Sequence, residues 1–120
     1  MSDMGAPLTI DDYRMAEKPL IARALNVVVD LSANSARVDN QRLLMPAKEL
    51  QLLFILVANA GRVVRREILI DRISGSQVIS NKNLDVHIRR LRKRIEPDPQ
   101  HPSYIRTARG IGYIFDAFEE

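Results

Sequence analysis

The hydrophobic positions divide the chain into a β-rich stretch, three helical stretches and a final pair of β-rich runs. Short runs at 25–30, 36–38 and 42–45, the first of them β-branched, are separated by turn-like polar residues, which predicts three short strands. Because the intervening turns are brief, we expect these strands to form a small antiparallel meander.

Three amphipathic helices are predicted after the meander, at 47–59, 65–73 and 82–96. The first has apolar residues at spacings of three and four and more apolar residues beside that stripe, so it should lie at the centre of the core. Pro46 marks its start, since proline suits a first helical turn, and Pro97 ends the third helix.

The chain closes with two β-prone runs, 104–107 and 111–115, on either side of a turn that contains Gly110. This arrangement predicts a β-hairpin. At the other end, residues 1–23 show no clean hydrophobic period, so we expect a flexible tail before a domain at 24–120. A sheet, three helices and a hairpin in this order predict an α+β fold.

The composition fits one folded domain in a reducing compartment. The 120 residues are 46% hydrophobic, which is enough for a core without cross-links. The absence of cysteine excludes disulfides and thiolate metal sites, and it predicts a cytoplasmic protein. Two histidines are too few for a zinc site, so we expect no metal and no cofactor. No apolar run approaches the length of about 20 residues that a membrane span needs.

Positive charge is concentrated in the last third of the chain. Residues 82–109 contain eight basic and three acidic side chains, a net charge of +5, whereas the whole chain carries +3. A local basic patch on a chain that is otherwise slightly acidic is typical of proteins that bind a polyanion.

The third predicted helix carries most of that charge on one face. On a helical wheel, an apolar stripe within about 40° of Leu84 is opposed by a basic face. The stripe comprises Leu84, Ile88, Leu91 and Ile95. The opposite face comprises Lys82, Val86, Arg89, Arg90 and Lys93. Such a helix suits the major groove of DNA, where Arg reads guanine and cations neutralise phosphates. A basic helix face taken alone, however, is more often only solvated.

Two further residues extend this hypothesis beyond the helix face. Asp85 lies on the flank near the helix start, where a carboxylate can accept a hydrogen bond from a cytosine amine. Arg109 lies beside Gly110 at the hairpin tip, and an Arg on a narrow loop suits a minor groove. The alternative for Arg109 is an ordinary surface turn residue.

Four motifs resemble the C-terminal effector domain of OmpR/PhoB-type response regulators. They are residues 48–53, 61–67, 84–96 and 104–113, and the last two read LDVHIRRLRKRIE and YIRTARGIGY. The resemblance covers residues 25–116. It implies a winged helix-turn-helix with an N-terminal antiparallel sheet and a C-terminal hairpin wing. It also implies a bacterial transcription regulator, of which two copies bind head-to-tail to direct repeats.

The resemblance implies roles for individual residues on double-stranded DNA. The base-contact positions are held by Asp85, Val86 and Arg90. The positions at or near phosphate contacts are held by Lys82, His87, Arg89, Arg92, Thr107 and Tyr113, and Lys93 shares the basic helix face. Arg109 holds the minor-groove position of the wing. Residues 74–81 match the segment with which that family contacts RNA polymerase.

Three positions and one absence depart from the family pattern. Pro46 and Arg65 stand where the family has helix-capping Thr and Ser, and Ser74 stands where it commonly has Trp. Each missing cap is expected to cost about 1 kcal/mol. Nothing in the 120 residues resembles a phosphoryl-accepting receiver domain, so the chain is either an excised effector domain or a regulator without a receiver, and the start at residues 1–3 favours the second alternative.

Three other functions fit the sequence less well. A winged helix that binds only proteins has no need of an acid-free basic face or a basic wing tip. A hydrolase or transferase would need a phosphate cradle, an activated nucleophile or clustered acids, and the sequence offers none of these. A membrane-surface protein would expose bulky aromatic residues on its basic helix.

Overall fold

The computed structural model describes residues 6–73 and 81–116, and it begins with a helix and a four-stranded sheet. The elements are α1 (Ile10–Met15), β1 (Ile21–Ala24), β2 (Val27–Asp30), β3 (Ser35–Val38) and β4 (Gln41–Leu43). The sheet is antiparallel in the order β1-β2-β3-β4, so each strand pairs with the next one along the chain.

A two-residue turn at Asp39 and Asn40 joins β3 to β4. Both residues have positive φ, 53° and 66°, which is the backbone of the type I′ hairpin turn that Asp and Asn tolerate. Asp39 also accepts a hydrogen bond of 2.6 Å from the side-chain amide of Asn26. The predicted meander is confirmed, with β1 as an additional strand that the sequence analysis assigned to the tail.

Residues 6–23 contain regular structure, so the expectation of a flexible tail does not hold for them. Thr9 begins α1 with a capping box, and Ile10 is buried in the core. The ring of Tyr13 packs edge-on against a core phenylalanine, with 4.9 Å between the ring centroids. Hydrophobic periodicity could not reveal this helix because its six residues are too few to repeat a pattern.

The second half contains three helices and a second sheet. The helices are α2 (Ala47–Ala58), α3 (Arg66–Ile73) and α4 (Asn81–Ile95). The strands are β5 (Val63–Arg65), β6 (Ile105–Ala108) and β7 (Gly112–Phe115), in the order β5-β7-β6. The three predicted helices and the hairpin are confirmed to within one residue at each end. Strand β5 lies between α2 and α3, where the hydrophobic pattern predicted no strand.

Helix α2 lies at the centre of the core, as its broad apolar stripe predicted. It contacts β1, β2, α3, α4 and β7, and seven of its apolar side chains are buried. Each fully buried aliphatic side chain contributes about 1.5–3 kcal/mol, so this helix supplies much of the stabilising free energy. Pro46 occupies its N-cap and makes no side-chain cap hydrogen bond, as the departure from the family pattern predicted.

The hairpin of β6 and β7, called the wing from here on, is fixed to both sheets. A Cβ on Gly112 would lie 1.9 Å from the carbonyl oxygen of Val64, so only glycine allows β7 to approach β5 this closely. The ring of Tyr104 stacks on Phe115 at 5.6 Å, and its hydroxyl donates to Asn26 of the first sheet at 3.0 Å. These contacts hold the wing beside α4.

Candidate nucleic-acid interface

Helix α4 buries the apolar stripe that the sequence predicted and exposes the basic face. Leu84, Ile88, Leu91 and Ile95 are at most 5% exposed. On the other side of the helix, the side chains of Arg89, Arg90 and Lys93 are exposed, and Val86 between them is half-buried. Within 6–73 and 81–116, these three cations make no hydrogen bond or ion pair. The helix therefore presents three unneutralised charges to solvent.

Arg92 lies on the flank of α4 and is bound to the wing instead. Its Nε donates to the carbonyl oxygen of Ile105 at 3.0 Å, and its Nη2 donates to the hydroxyl of Thr107 at 2.9 Å. The guanidinium also lies 5.5 Å from the ring centroid of Tyr113. Arg92 and Thr107, both predicted as phosphate contacts, are thus brought together.

Arg94 on the other flank is paired with a buried carboxylate. Its Nε donates to Glu49 of α2 at 2.8 Å, and its Nη1 donates to the carbonyl oxygen of Leu44 at 3.3 Å. The Glu49 side chain is 2% exposed and that of Arg94 is 39% exposed, so the pair is partly shielded from solvent. It joins α4 to the start of α2, and the sequence analysis did not find it.

Asp85, predicted as a base contact, is held by two donors from other elements. Its Oδ1 accepts a hydrogen bond of 2.9 Å from Nη1 of Arg66 and one of 2.6 Å from the hydroxyl of Tyr113. The Arg66 hydrogen bond, and to a lesser degree that of Tyr113, hold the pKa of the Asp85 carboxyl below its usual value. The carboxylate therefore stays ionised inside the protein's own hydrogen-bond network.

Tyr113 is a packing residue of β7 as well as a donor. It is only 5% exposed, and its ring lies near two guanidinium groups, 5.9 Å from Arg66 and 5.5 Å from Arg92. Burial, followed by the neighbouring Asp85 carboxylate, raises the pKa of the phenol. A phosphate contact through this hydroxyl would require exchange of its hydrogen bond to Asp85.

The tip of the wing carries Arg109 on a tight turn. Gly110 has a φ of +77°, and the amide of Ile111 donates to the carbonyl oxygen of Ala108 at 2.9 Å. The side chain of Arg109 is exposed and has no partner in the described part of the chain. The turn thus points a fourth unpaired cation away from the core.

Glu96 fixes the chain between α4 and the wing, a role that the sequence analysis missed. Its carboxylate is buried and accepts hydrogen bonds from the backbone amides of Ser103, Tyr104 and Ile105 at 2.8–3.1 Å. The only sequence signal for this role of Glu96 was its position directly before Pro97, which ends the helix. The carboxylate sets where β6 starts relative to α4.

Three of the predicted contacts have less definite surroundings. His87 is half-buried, and its Nδ1 is a buried atom without a hydrogen-bond partner among the described residues. The side chain of Lys82 lies outside the described residues. So do residues 74–80, which make up nearly all of the loop predicted to contact RNA polymerase.

No group of His, Asp and Glu in the described chain is arranged to hold a metal ion. No described helix is long and apolar enough to cross a membrane.

A family model described as "Transcriptional regulatory protein, C terminal" matches residues 40–115. The chain belongs to this family. RegX3, a sensory transduction protein of Mycobacterium tuberculosis, is 38% identical over 104 residues, which are 86% of this chain and 45% of RegX3. PetR of Rhodobacter capsulatus is 36% identical over 91 residues, 71% of this chain and 38% of PetR. The chain thus spans less than half the length of these relatives.

Solved structures of the same family share the fold. DrrB, an OmpR/PhoB homologue of Thermotoga maritima, superposes with a TM-score of 0.74 and 33% identity, over 89% of this chain and 49% of DrrB. The DNA-binding domain of CpxR from E. coli superposes with a TM-score of 0.69 and 27% identity, over 82% of this chain and 98% of that domain. The OmpR/PhoB-type winged helix inferred from the four motifs is confirmed.

Proposed function

We propose that the protein binds double-stranded DNA in a sequence-specific way and acts as a bacterial transcription regulator. Helix α4 enters the major groove and the wing tip enters the adjacent minor groove. The observation that carries this proposal is the exposed face of α4, where Arg89, Arg90 and Lys93 have no partner among the described residues. The CpxR domain, which is described as DNA-binding, has the same fold at 27% identity and supports it.

The basic face has the composition that a DNA groove requires. Three cations on one side of a helix, with no carboxylate between them, neutralise phosphates and release counterions on binding. A solvated face of a monomer would more often mix both signs of charge. Arg92 and Arg94 each have an acceptor within the fold. The cations of the exposed face have none among the described residues, so they are the ones available to phosphates.

Individual roles are those that the resemblance to the family implies, for side chains whose exposure or pairing is compatible with them. Arg90 and Val86 read base edges, and Arg89 and Lys93 contact phosphates. Arg109 reads a narrow minor groove at the wing tip. Lys82 and His87 remain phosphate-contact predictions from the sequence. Arg92 and Thr107 contact a phosphate as one hydrogen-bonded pair.

Two finer features of the proposal concern assembly and activation. Two copies bind head-to-tail on direct repeats, which extends the contact surface along one face of the duplex. Residues 74–81, which include the apolar pair Val78 and Ile79, contact RNA polymerase if the protein activates transcription. Both features come from the resemblance to the family.

A salt titration tests the proposal most directly. The affinity for duplex DNA should fall linearly with the logarithm of salt concentration, at a slope of about 0.9 per phosphate contact. Arg89→Ala should lower that slope by about one contact. Arg14→Ala is the matched control, because Arg14 is exposed on α1 and is paired with Asp11 at 3.7 Å. An affinity that stays flat between low and physiological salt would refute DNA binding.

A further inference from the structure

A continuous polar network joins α3, α4 and the wing on one flank of α4. It runs from Arg66, the first residue of α3, through Asp85 of α4 to Tyr113 of the wing, and the Tyr113 ring lies beside Arg92 of α4, which is bound to β6. Its members on the wing are Thr107, Tyr113 and the carbonyl group of Ile105.

Asp85 is the point at which this network crosses from one element to another. A single oxygen, Oδ1, accepts from Arg66 at 2.9 Å and from the Tyr113 hydroxyl at 2.6 Å. The Asp85 side chain is 55% exposed, so solvent reaches the carboxylate, yet this oxygen already has two donors. A base contact through Oδ1 would have to displace one of those hydrogen bonds.

Arg92 closes the network from the wing side. It donates to two groups of β6, the Ile105 carbonyl oxygen at 3.0 Å and the Thr107 hydroxyl at 2.9 Å. It also lies 5.5 Å from the Tyr113 ring. Since Tyr113 is 5% exposed and its neighbour Gly112 is pressed against β5, the ring has little freedom to move. Rotation of the wing about α4 would therefore break several of these contacts at once.

We propose that Asp85 and Tyr113 are positioning residues that hold the wing at one fixed angle to α4. This inference rests on the proposed function. By spacing we mean the number of base pairs between the motif that Arg90 reads and the minor groove that Arg109 reads. The hydrogen bond between Asp85 and Tyr113 controls this spacing. Asp85 then contributes nothing to the choice of base, in contrast to the base contact predicted from the sequence.

The test measures affinity as a function of spacing. A cognate duplex is first selected with the wild-type protein, and zero, one or two base pairs are then inserted between the major-groove motif and the A·T-rich minor groove beside it. Binding is measured for the wild type, for Asp85→Asn and for Tyr113→Phe. Two matched controls remove the same groups on α1, away from the wing: Tyr13→Phe and Asp11→Asn.

The wild type and both controls should lose about tenfold in affinity for each duplex with one inserted pair, the size of one lost specific contact. Asp85→Asn and Tyr113→Phe should lose less, about twofold to threefold for one inserted pair, because the wing keeps its pairing with β5 and its contacts with Arg92 but loses one of the contacts that fix its angle. Their preference at each base of the major-groove motif should match that of the wild type. A general loss of stability would weaken binding to all duplexes alike and would leave the spacing ratio unchanged.

Three results would overturn the inference while leaving the proposed function intact. One is a wild type without spacing preference, and another is a pair of variants that keep the wild-type spacing ratio. The third is loss of preference at a single base pair in Asp85→Asn, which would make Asp85 a base-reading residue. If the wild type itself binds no duplex in a salt-dependent way, the proposed function fails as well.

Discussion

The exposed face and the flanks of α4 carry the same kind of residue in different surroundings. On the flanks, Arg92 and Arg94 donate to acceptors of the wing, of α2 and of Leu44 before α2, at 2.8–3.3 Å. On the exposed face, Arg89 and Arg90 have no acceptor in the described chain. Of the five cations in this short motif, two thus have acceptors within the fold and three, counting Lys93, do not. Arg92 belongs to the first group and reaches a phosphate only as part of its pair with Thr107.

This difference shows that a count of basic residues overstates the binding surface. The run at 89–94 contains five cations in six residues, and its net charge alone suggests five phosphate contacts. Two of the five have acceptors within the fold. The predictions below therefore separate effects on the free energy of unfolding from effects on DNA affinity.

The largest expected effect is on a flank. Arg94→Ala should lower the free energy of unfolding by about 2–3 kcal/mol, because it leaves the Glu49 carboxylate buried without its partner. The figure is below that for a fully buried pair because the Arg94 side chain is 39% exposed. Urea denaturation measures it. The double variant Glu49→Gln/Arg94→Ala should be more stable than Arg94→Ala alone. If the losses of unfolding free energy in the two single variants simply added up in the double variant, the pairing would be contradicted.

On the exposed face, the expected effect moves from stability to DNA recognition. Arg90→Ala should cost about 1–3 kcal/mol of affinity at the cognate site and flatten the preference at one base pair. The free energy of unfolding should stay within about 0.5 kcal/mol of the wild type. Binding to all single-base variants of the site measures the first effect. An unchanged preference at every position would show that Arg90 does not read a base.

A smaller effect is expected for the neighbouring cation. Arg89→Ala should weaken binding to all sequences alike and leave the base preference unchanged, because a phosphate contact carries no sequence information. Competition between cognate and random duplex measures the ratio of the two affinities. A change in that ratio as large as the change for Arg90→Ala would remove the distinction between the two residues.

The smallest expected effect concerns pH and the flank carboxylate. Arg66 holds the pKa of Asp85 in the folded protein below its value of about 3.8 in the unfolded chain. Ionised Asp85 therefore stabilises the fold at a pH above 3.8, and this contribution is lost as the pH falls through the folded-state pKa. The difference in unfolding free energy between wild type and Asp85→Asn should therefore shrink below about pH 4, by less than about 1 kcal/mol because the group is half-exposed. Arg66→Gln should abolish this pH dependence. A difference that grows on acidification would contradict the sign.

The elements that were predictable are those with a repeating pattern. Helix α4 alternates Leu84, Ile88, Leu91 and Ile95 with polar residues over four turns, and the structure buries these four side chains. Helix α2 shows a broader apolar stripe, and the wing shows two β-prone runs around Gly110. By contrast, α1 and β5 have six and three residues, and such short segments show no period. The β-branched pair at Val63 and Val64 was the available signal for β5.

Of the candidate site, only the exposed face of α4 could be predicted from the sequence. Arg89, Arg90 and Lys93 are exposed because their angular positions oppose the apolar stripe, which a wheel shows. The pairing of Asp85 with Tyr113 joins residues 28 positions apart and depends on how the wing folds back. Local patterns carry no information about such contacts. Glu49 likewise reads as a surface residue of an amphipathic helix until its partner on α4 is known.

The close approach of β5 and β7 at Gly112 has a consequence for the order in which the chain folds. In the first sheet every strand pairs with its neighbour along the chain, so each closing loop is short. Val63 pairs with Ile114 only after the segment carrying α3 and α4 has been brought back, and loop closure over that distance is slow. Amide hydrogens of β2 should therefore become protected from exchange during refolding before those of β7. The wing is then the last part to form, and substitutions at Gly112 should accelerate unfolding more than they slow folding.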